Sequence, residues 1–415
     1  MQQEGEATMS IMADHTPMNL IAIKDKTGRI ESIDLLRGIV MIIMALDHVR
    51  DYFHYDAFVY SPTDLSKTNV LLFFTRWITH FCAPVFVFLA GISAYLYGVK
   101  KGKKELSFFL LTRGLFLLFI ELFVLDFFRT FNPSFPYFNL QVIWAIGICM
   151  IVLSVIIYLN WYFILLIAVL LIVAHNLLDP IHIPGDNLSA FLWSFLHEVN
   201  HFNVWNVTVY VHYPVLPWIG VMAAGYCFGK LYVPDYDADK RKKMLLLLGL
   251  GAIVLFIILR SGNWYGDAAN WFIQKNLIFS VMSFLNVTKY PPSLLYVLIT
   301  IGPALIFLSL AEGRLNKLKT NIAIFGRTAL SYYLAHILII HLFALIGALM
   351  CGYKLGDMIL STRVNDNEHL KGYGFGLIIV YFIWAGLVLL LFPFCKWFDH
   401  YKRTHVATQW WLSYL

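Results

Sequence analysis

The run IESIDLLRGIVMIIMALDHVRDYF, residues 30–53, is apolar enough to enter a bilayer yet carries Asp34, Arg37, Asp47, His48, Arg50 and Asp51. Ionisable groups at membrane depth cost about 2.5 kcal/mol or more each, so they persist where they are partnered or functional. His48 has the chemistry of a general base or a nucleophile, since an unperturbed imidazole titrates near neutrality. Asp47 and Asp51 stand beside it as groups that could orient the ring or stabilise its imidazolium, and only Asp51, at i+3, shares its helical face. A purely structural arrangement is the alternative: a water-bonded histidine at the end of a span, with Asp47 or Asp51 paired to Arg50. Arg37 precedes His48 by eleven residues. On a helix that spacing brings the two side chains back to within about 20° of one face, about 16 Å apart along the axis. Asp34 falls about 40° from His48 on the same face. One face of this helix therefore lines something polar across half a hydrocarbon core.

The rest of the chain must position that face. Of 415 residues, 60% are hydrophobic and 13% charged, against about 25% charged in soluble domains. The sequence predicts an all-α polytopic membrane protein with ten spans near 34–54, 70–98, 106–126, 139–158, 162–178, 214–232, 243–260, 291–311, 322–349 and 372–394. With ten spans, Lys24, Lys26 and Arg29, the lysines at 100–104, the basic run 240–243, Arg314, Lys317 and Lys319, and Lys396, Lys402 and Arg403 all fall on one side. The positive-inside rule makes that side the cytoplasm and both termini cytoplasmic. The expected organisation is a disordered tail over 1–29, one membrane domain over 30–395 and a C-terminal tail over 396–415. No cleavable signal peptide is expected, because the acidic first 23 residues lack a basic start before an apolar core. The five cysteines are scattered and suggest neither a disulfide framework nor a metal cluster. No soluble basic domain exists to bind nucleic acid. The longer loops on the far side, 55–69, 127–138, 179–213, 261–290 and 350–371, are rich in Asn, His, Trp and Tyr, which suits either sugar stacking or an interfacial aromatic belt.

The Arg–His spacing in the first span resembles the signature of the bacterial transmembrane acyltransferase-3 proteins. RIESIDLLRGIVMIIMALDH together with APVFVFLAG (83–91) resembles the start of the heparan-α-glucosaminide N-acetyltransferase-like family. NLQVIWAIG (139–147), YPVLPWIGVMAAGY (213–226), FLNVTKYPPSLLY (284–296) and FGRTALSYYLAH (325–336) are similar to later blocks of its bacterial branch. The resemblance implies transmembrane acyl transfer: acyl-CoA, usually acetyl-CoA, held from the cytoplasm, and a sugar amine or hydroxyl modified on the far side. The implied setting is a bacterial inner membrane, with lipid, acyl-CoA, a carbohydrate acceptor and, as an option, a second copy of the chain as partners. One departure stands out. The loop histidine usually assigned to catalysis in the lysosomal enzyme falls, without gaps, on Phe58 here, so His48 follows from the Arg–His pattern; His54 is the nearest loop alternative.

CoA phosphates would call for cations near the cytoplasmic face. Arg37, Arg113 and Arg327 are candidates, the first also suited to a plain i,i+3 pair with Asp34. Tyr333 and His336 share the span that Arg327 opens and join the candidate CoA-binding set. His336 and His341 lie about 140° apart around that helix, poor geometry for a shared metal, and no metal is expected. For the acceptor the candidates are His80, Gln141, Trp144, Lys289 and Tyr290, all placed towards the far side. Two mechanisms stay open, direct transfer with His48 as base and a route in which His48 carries the acyl group. A proton-coupled carrier of a small anion or sugar is the rival from another class, because intramembrane Asp, Arg and His serve such proteins too.

Overall fold

The computed structural model describes residues 30–313 and 315–415. The tail expected over 1–29, with Lys24, Lys26 and Arg29, and the loop residue Arg314 lie outside the described residues. The chain is mostly helical. Among the described residues, five helical stretches are long and apolar enough to cross a membrane: Val70–Lys101, Lys103–Thr130, Ala238–Gly262, Ala329–Met350 and Leu377–His405. The shorter helices Val142–Ile156, Trp161–Val173 and Leu294–Leu310 are also apolar.

In chain order the helices are α1 (Glu31–Phe53), α2 (Val70–Ile78), α3 (Cys82–Lys101), α4 (Lys103–Phe119), α5 (Asp126–Thr130), α6 (Val142–Ile156), α7 (Trp161–Val173) and α8 (Leu188–Leu196). They continue with α9 (Leu216–Phe228), α10 (Ala238–Gly262), α11 (Leu277–Leu285), α12 (Leu294–Leu310), α13 (Lys317–Arg327), α14 (Ala329–Met350) and α15 (Leu377–His405). Between α4 and α5 the backbone widens to a π-helical turn over Ile120–Leu125. Such an insertion is frequent at functional sites, and here it carries the fully buried Glu121.

Four helix crossings are built on facing glycines. Gly38 of α1 meets Gly326 of α13, Gly91 of α3 meets Gly225 of α9, Gly114 of α4 meets Gly147 of α6, and Gly249 of α10 meets Gly302 of α12. At the first two, an added Cβ would stand 2.0–2.1 Å from a backbone carbonyl of the partner helix. Between apolar helices, where water supplies little drive for association, such small-residue contacts let backbones approach closely enough for dense van der Waals packing. Loss of side chains thus draws α1 against α13 and fixes the polar face of α1 relative to the start of α14.

A small sheet departs from the all-α expectation. Strands β1 (Tyr137–Leu140), β2 (Asn200–Val204) and β3 (Val207–Val211) form the order β1-β3-β2, with β3 parallel to β1 and antiparallel to β2. The β2–β3 hairpin turns on Trp205 and Asn206, both at positive φ (47° and 66°), as a two-residue type I′ turn requires. Its β-branched and aromatic residues favour the extended state over a loop. The Asp126 carboxylate accepts the Asn139 N–H at 3.1 Å and so ties β1 to α5.

Candidate active site

His48 sits on the last turns of α1 and faces α14. Its Nδ1 lies 2.7 Å from Nε2 of His336, with the rings nearly parallel at 13° and 5.0 Å between centroids. Nδ1 of His336 is 2.8 Å from the Tyr332 carbonyl oxygen, one turn back in the same helix. A carbonyl only accepts, so with neutral rings Nδ1 of His336 carries its hydrogen and Nε2 is the lone pair. That lone pair accepts from Nδ1–H of His48. The remaining nitrogen of His48, Nε2, is then unprotonated. A backbone carbonyl thus sets the tautomer of His48 through one intervening histidine.

A cavity of about 530 Å³ opens beside His48, large enough for a small ligand. Its polar lining includes Asp47, Arg50, Asp51, Arg76, Arg129, Gln141, Lys289, Tyr290 and Tyr333. Asp47 does not orient His48. It pairs with Arg50 Nη1 at 2.8 Å and with Arg76 Nη1 at 2.5 Å, while Asp51 takes the other Arg50 nitrogen at 2.6 Å. Across the cavity Arg129 donates to Glu121 at 2.6 Å and to Asp126 at 3.0 Å. It also donates to the Tyr333 hydroxyl oxygen at 3.2 Å, which leaves the Tyr333 O–H to point at another acceptor. Removing the Arg129 guanidinium would strand the buried Glu121, so it anchors this wall as well as polarising Tyr333.

A second cavity, of about 510 Å³, lies towards the N-terminal half of α1. Arg37, Lys100, Arg113, Arg327 and Lys402 line it among apolar side chains from α3, α4, α6 and α14. Arg37 bonds Asp34 at 3.3 Å and Ser93 Oγ at 3.0 Å. Arg113 donates to the Ser413 carbonyl at 2.7 Å. Arg327 holds Asp399 by two bonds of 2.9 Å. Met44, Val142 and Tyr333 line both cavities and form the partition between them. His48 lines the first cavity, on the turn that follows Met44.

The structure therefore brings together His48, Asp47, Asp51, Gln141, Lys289 and Tyr290 at the first cavity, and Arg37, Arg113 and Arg327 at the second, with Tyr333 between them. His336 is buried behind His48 and lines neither cavity. His80 and Trp144 line neither: His80 packs edge-on against Tyr296 at 5.6 Å, and Trp144 against Phe195 at 5.3 Å. His54 accepts the Asp56 N–H through Nδ1 at 3.2 Å and caps a turn, whereas Phe58 faces the first cavity. His341 is packed between the Phe128 and Met358 carbonyls at 2.8 and 2.9 Å. Sequence reasoning does not single out Arg76, Glu121 or Arg129: charge within an apolar run is the available signal for the first two, whereas Arg129 falls in the loop expected over 127–138.

A family model described as heparan-alpha-glucosaminide N-acetyltransferase, catalytic, matches residues 29–263. That is more than half of the chain, and the chain belongs to this family. It is an enzyme of acetyltransferase type and, with its long apolar helices, an integral membrane protein. No curated protein matches the chain significantly. The matched stretch includes His48, Arg76, Glu121 and Arg129, whereas Lys289, Tyr333 and His336 come from helices and turns beyond it.

Proposed function

From that membership we propose that the chain moves an acetyl group from acetyl-CoA in the second cavity to an amine or hydroxyl of a carbohydrate or related acceptor in the first. The observation that carries this reading is the pair of ligand-sized cavities meeting at Met44, Val142 and Tyr333, with His48 beside the junction. Arg37, Arg113 and Lys100 are the groups suited to CoA phosphates. With the thioester at the partition, the acceptor nitrogen or oxygen attacks the carbonyl carbon as Nε2 of His48 takes its proton. The Tyr333 O–H, polarised by Arg129, donates to the oxygen that gathers charge. Collapse breaks the carbon–sulfur bond, and the imidazolium returns the proton to the CoA thiolate. His48 lines the acceptor cavity but not the CoA cavity, which favours the base over an acyl carrier.

In this reading the chain makes ten spans with both termini in the cytoplasm, and helices stand at each of the ten positions. The second cavity opens to the cytoplasm and the first to the outside of a bacterial inner membrane. The test is free CoA production by purified protein given acetyl-CoA and a panel of amino sugars. Release that requires an acceptor is the expected result. Acceptor exchange across vesicles with no CoA release at all would point instead to a carrier.

His336 has a distinct signature as a positioning residue. His336→Phe keeps the ring stack but removes the acceptor for His48 Nδ1–H. We expect kcat to fall by about 10- to 100-fold with the KM for acetyl-CoA unchanged. His336→Gln, whose amide oxygen can accept, should recover part of the loss. An unchanged pH–rate profile in His336→Phe, or a loss carried by KM alone, would contradict this role.

A further inference from the structure

The cations that line the first cavity are nearly all matched. Arg50 and Arg76 share Asp47, with Asp51 on Arg50, and Arg129 sits between Glu121 and Asp126. Arg363 holds Asp366 through bonds of 2.7 and 2.9 Å. Lys289 is different. It is 9% exposed, lines the cavity, and has no carboxylate at ion-pair distance among the described residues. Its ammonium stands 5.1 Å from the Tyr290 ring centroid. A buried cation without a counter-ion is costly, and a chain keeps one where something else supplies the charge.

The surroundings hold Lys289 in place. Asp267 accepts the Thr288 N–H at 2.8 Å, the Thr288 hydroxyl at 2.7 Å and the Ser293 hydroxyl at 2.7 Å, closing the turn on which Lys289 sits. Arg260, almost fully buried, donates to the carbonyls of Ala269, Ser283, Phe284 and Asn286 and fixes the segment that leads into that turn. The field there is positive. Burial would raise the Tyr290 hydroxyl, but Lys289 and Arg76 outweigh it and draw that phenol below its ordinary range. His212 faces the same space, its ring 4.2 Å from that of Tyr290, with Nδ1 buried and unpartnered among the described residues.

We propose that the first cavity selects acceptors that carry an anionic group, a carboxylate, phosphate or sulfate, which pairs with Lys289 beside Arg76 and Tyr290. The proposal deepens the acyl-transfer reading and rests on it for the word acceptor; the anion subsite itself does not. A lysine offers a compact point charge without the planar fork of arginine, so it holds tetrahedral and planar anions alike.

The test is thermal melting of the full-length protein in detergent, titrated with glucosamine, glucosamine 6-phosphate, glucuronate and inorganic phosphate. The anionic sugars should protect at concentrations at least about tenfold below glucosamine, which carries no anionic group. Lys289→Met should remove that preference, and Lys289→Arg should keep it. Comparison of the two anionic sugars then separates phosphate from carboxylate. Equal protection by sugars with and without an anionic group, a preference that survives Lys289→Met, or protection by inorganic phosphate as strong as by its sugar ester would overturn the proposal. Melting reads binding without turnover. A Lys289-dependent preference with no CoA release would therefore remove the acyl-transfer reading and leave the anion subsite standing.

Discussion

His48→Ala loses acetyl transfer by about 10²- to 10⁴-fold, the span that a positioned general base contributes. The loss falls on kcat, because His48 lines the first cavity, proposed for the acceptor, and not the second, proposed for CoA. A base and a structural histidine part ways in rescue. Added imidazole can occupy the space left by His48→Ala and take the acceptor proton, so it should restore part of the rate without altering the melting temperature. Rates within about threefold of the native protein would remove His48 from the chemistry, since so small a change is well under the contribution of a general base. A loss of folded protein would instead be seen in size exclusion, and the pairing with His336 makes that the control to run alongside.

Gly225→Leu abolishes the folded protein. A Cβ at Gly225 would stand 2.0 Å from the Phe88 carbonyl oxygen, and the facing Gly91 is just as close to the Met222 carbonyl. Both obstacles are backbone, so neither rotamer change nor a local side-chain shift relieves them. Separating α3 from α9 forfeits the crossing, at a cost of about 3 kcal/mol or more. The same substitution at Gly251 of α10, where nothing lies within 4 Å, should melt like the native protein. Monodisperse yield and melting temperature of the two variants check the pair. Native-like behaviour of Gly225→Leu would contradict the close-packed crossing.

Part of the candidate site is legible in one helix. The eleven-residue spacing of Arg37 and His48 implied a shared face with groups about half a bilayer apart, and the two side chains do line different cavities. The i,i+3 pair of Asp34 and Arg37 was equally readable, because both members lie on that helix. What orients His48 was not. A bond across 288 residues has no periodic signature, and the adjacent carboxylates offered a nearer partner that Arg50 and Arg76 in fact occupy. Arg129 was hidden for another reason. The π-helical turn extends its helix to Thr130 and turns Glu121 and Arg129 inward, where a loop from residue 127 was expected. The hairpin over 200–211 carried its signal in alternating β-branched and aromatic residues, but Trp205 is an unusual residue for a turn at positive φ. The four glycine pairs show the limit most clearly, since each glycine finds its partner only once the helices are assembled.

The most direct test of transfer across the partition uses sealed vesicles of one orientation, with the amino-sugar acceptor inside and radiolabelled acetyl-CoA outside. If Arg37, Arg113 and Lys100 face the donor compartment, labelled acetyl groups should accumulate on the enclosed acceptor while free CoA stays outside, and His48→Ala should show neither. Label appearing only when donor and acceptor share one compartment would contradict a site open to both sides.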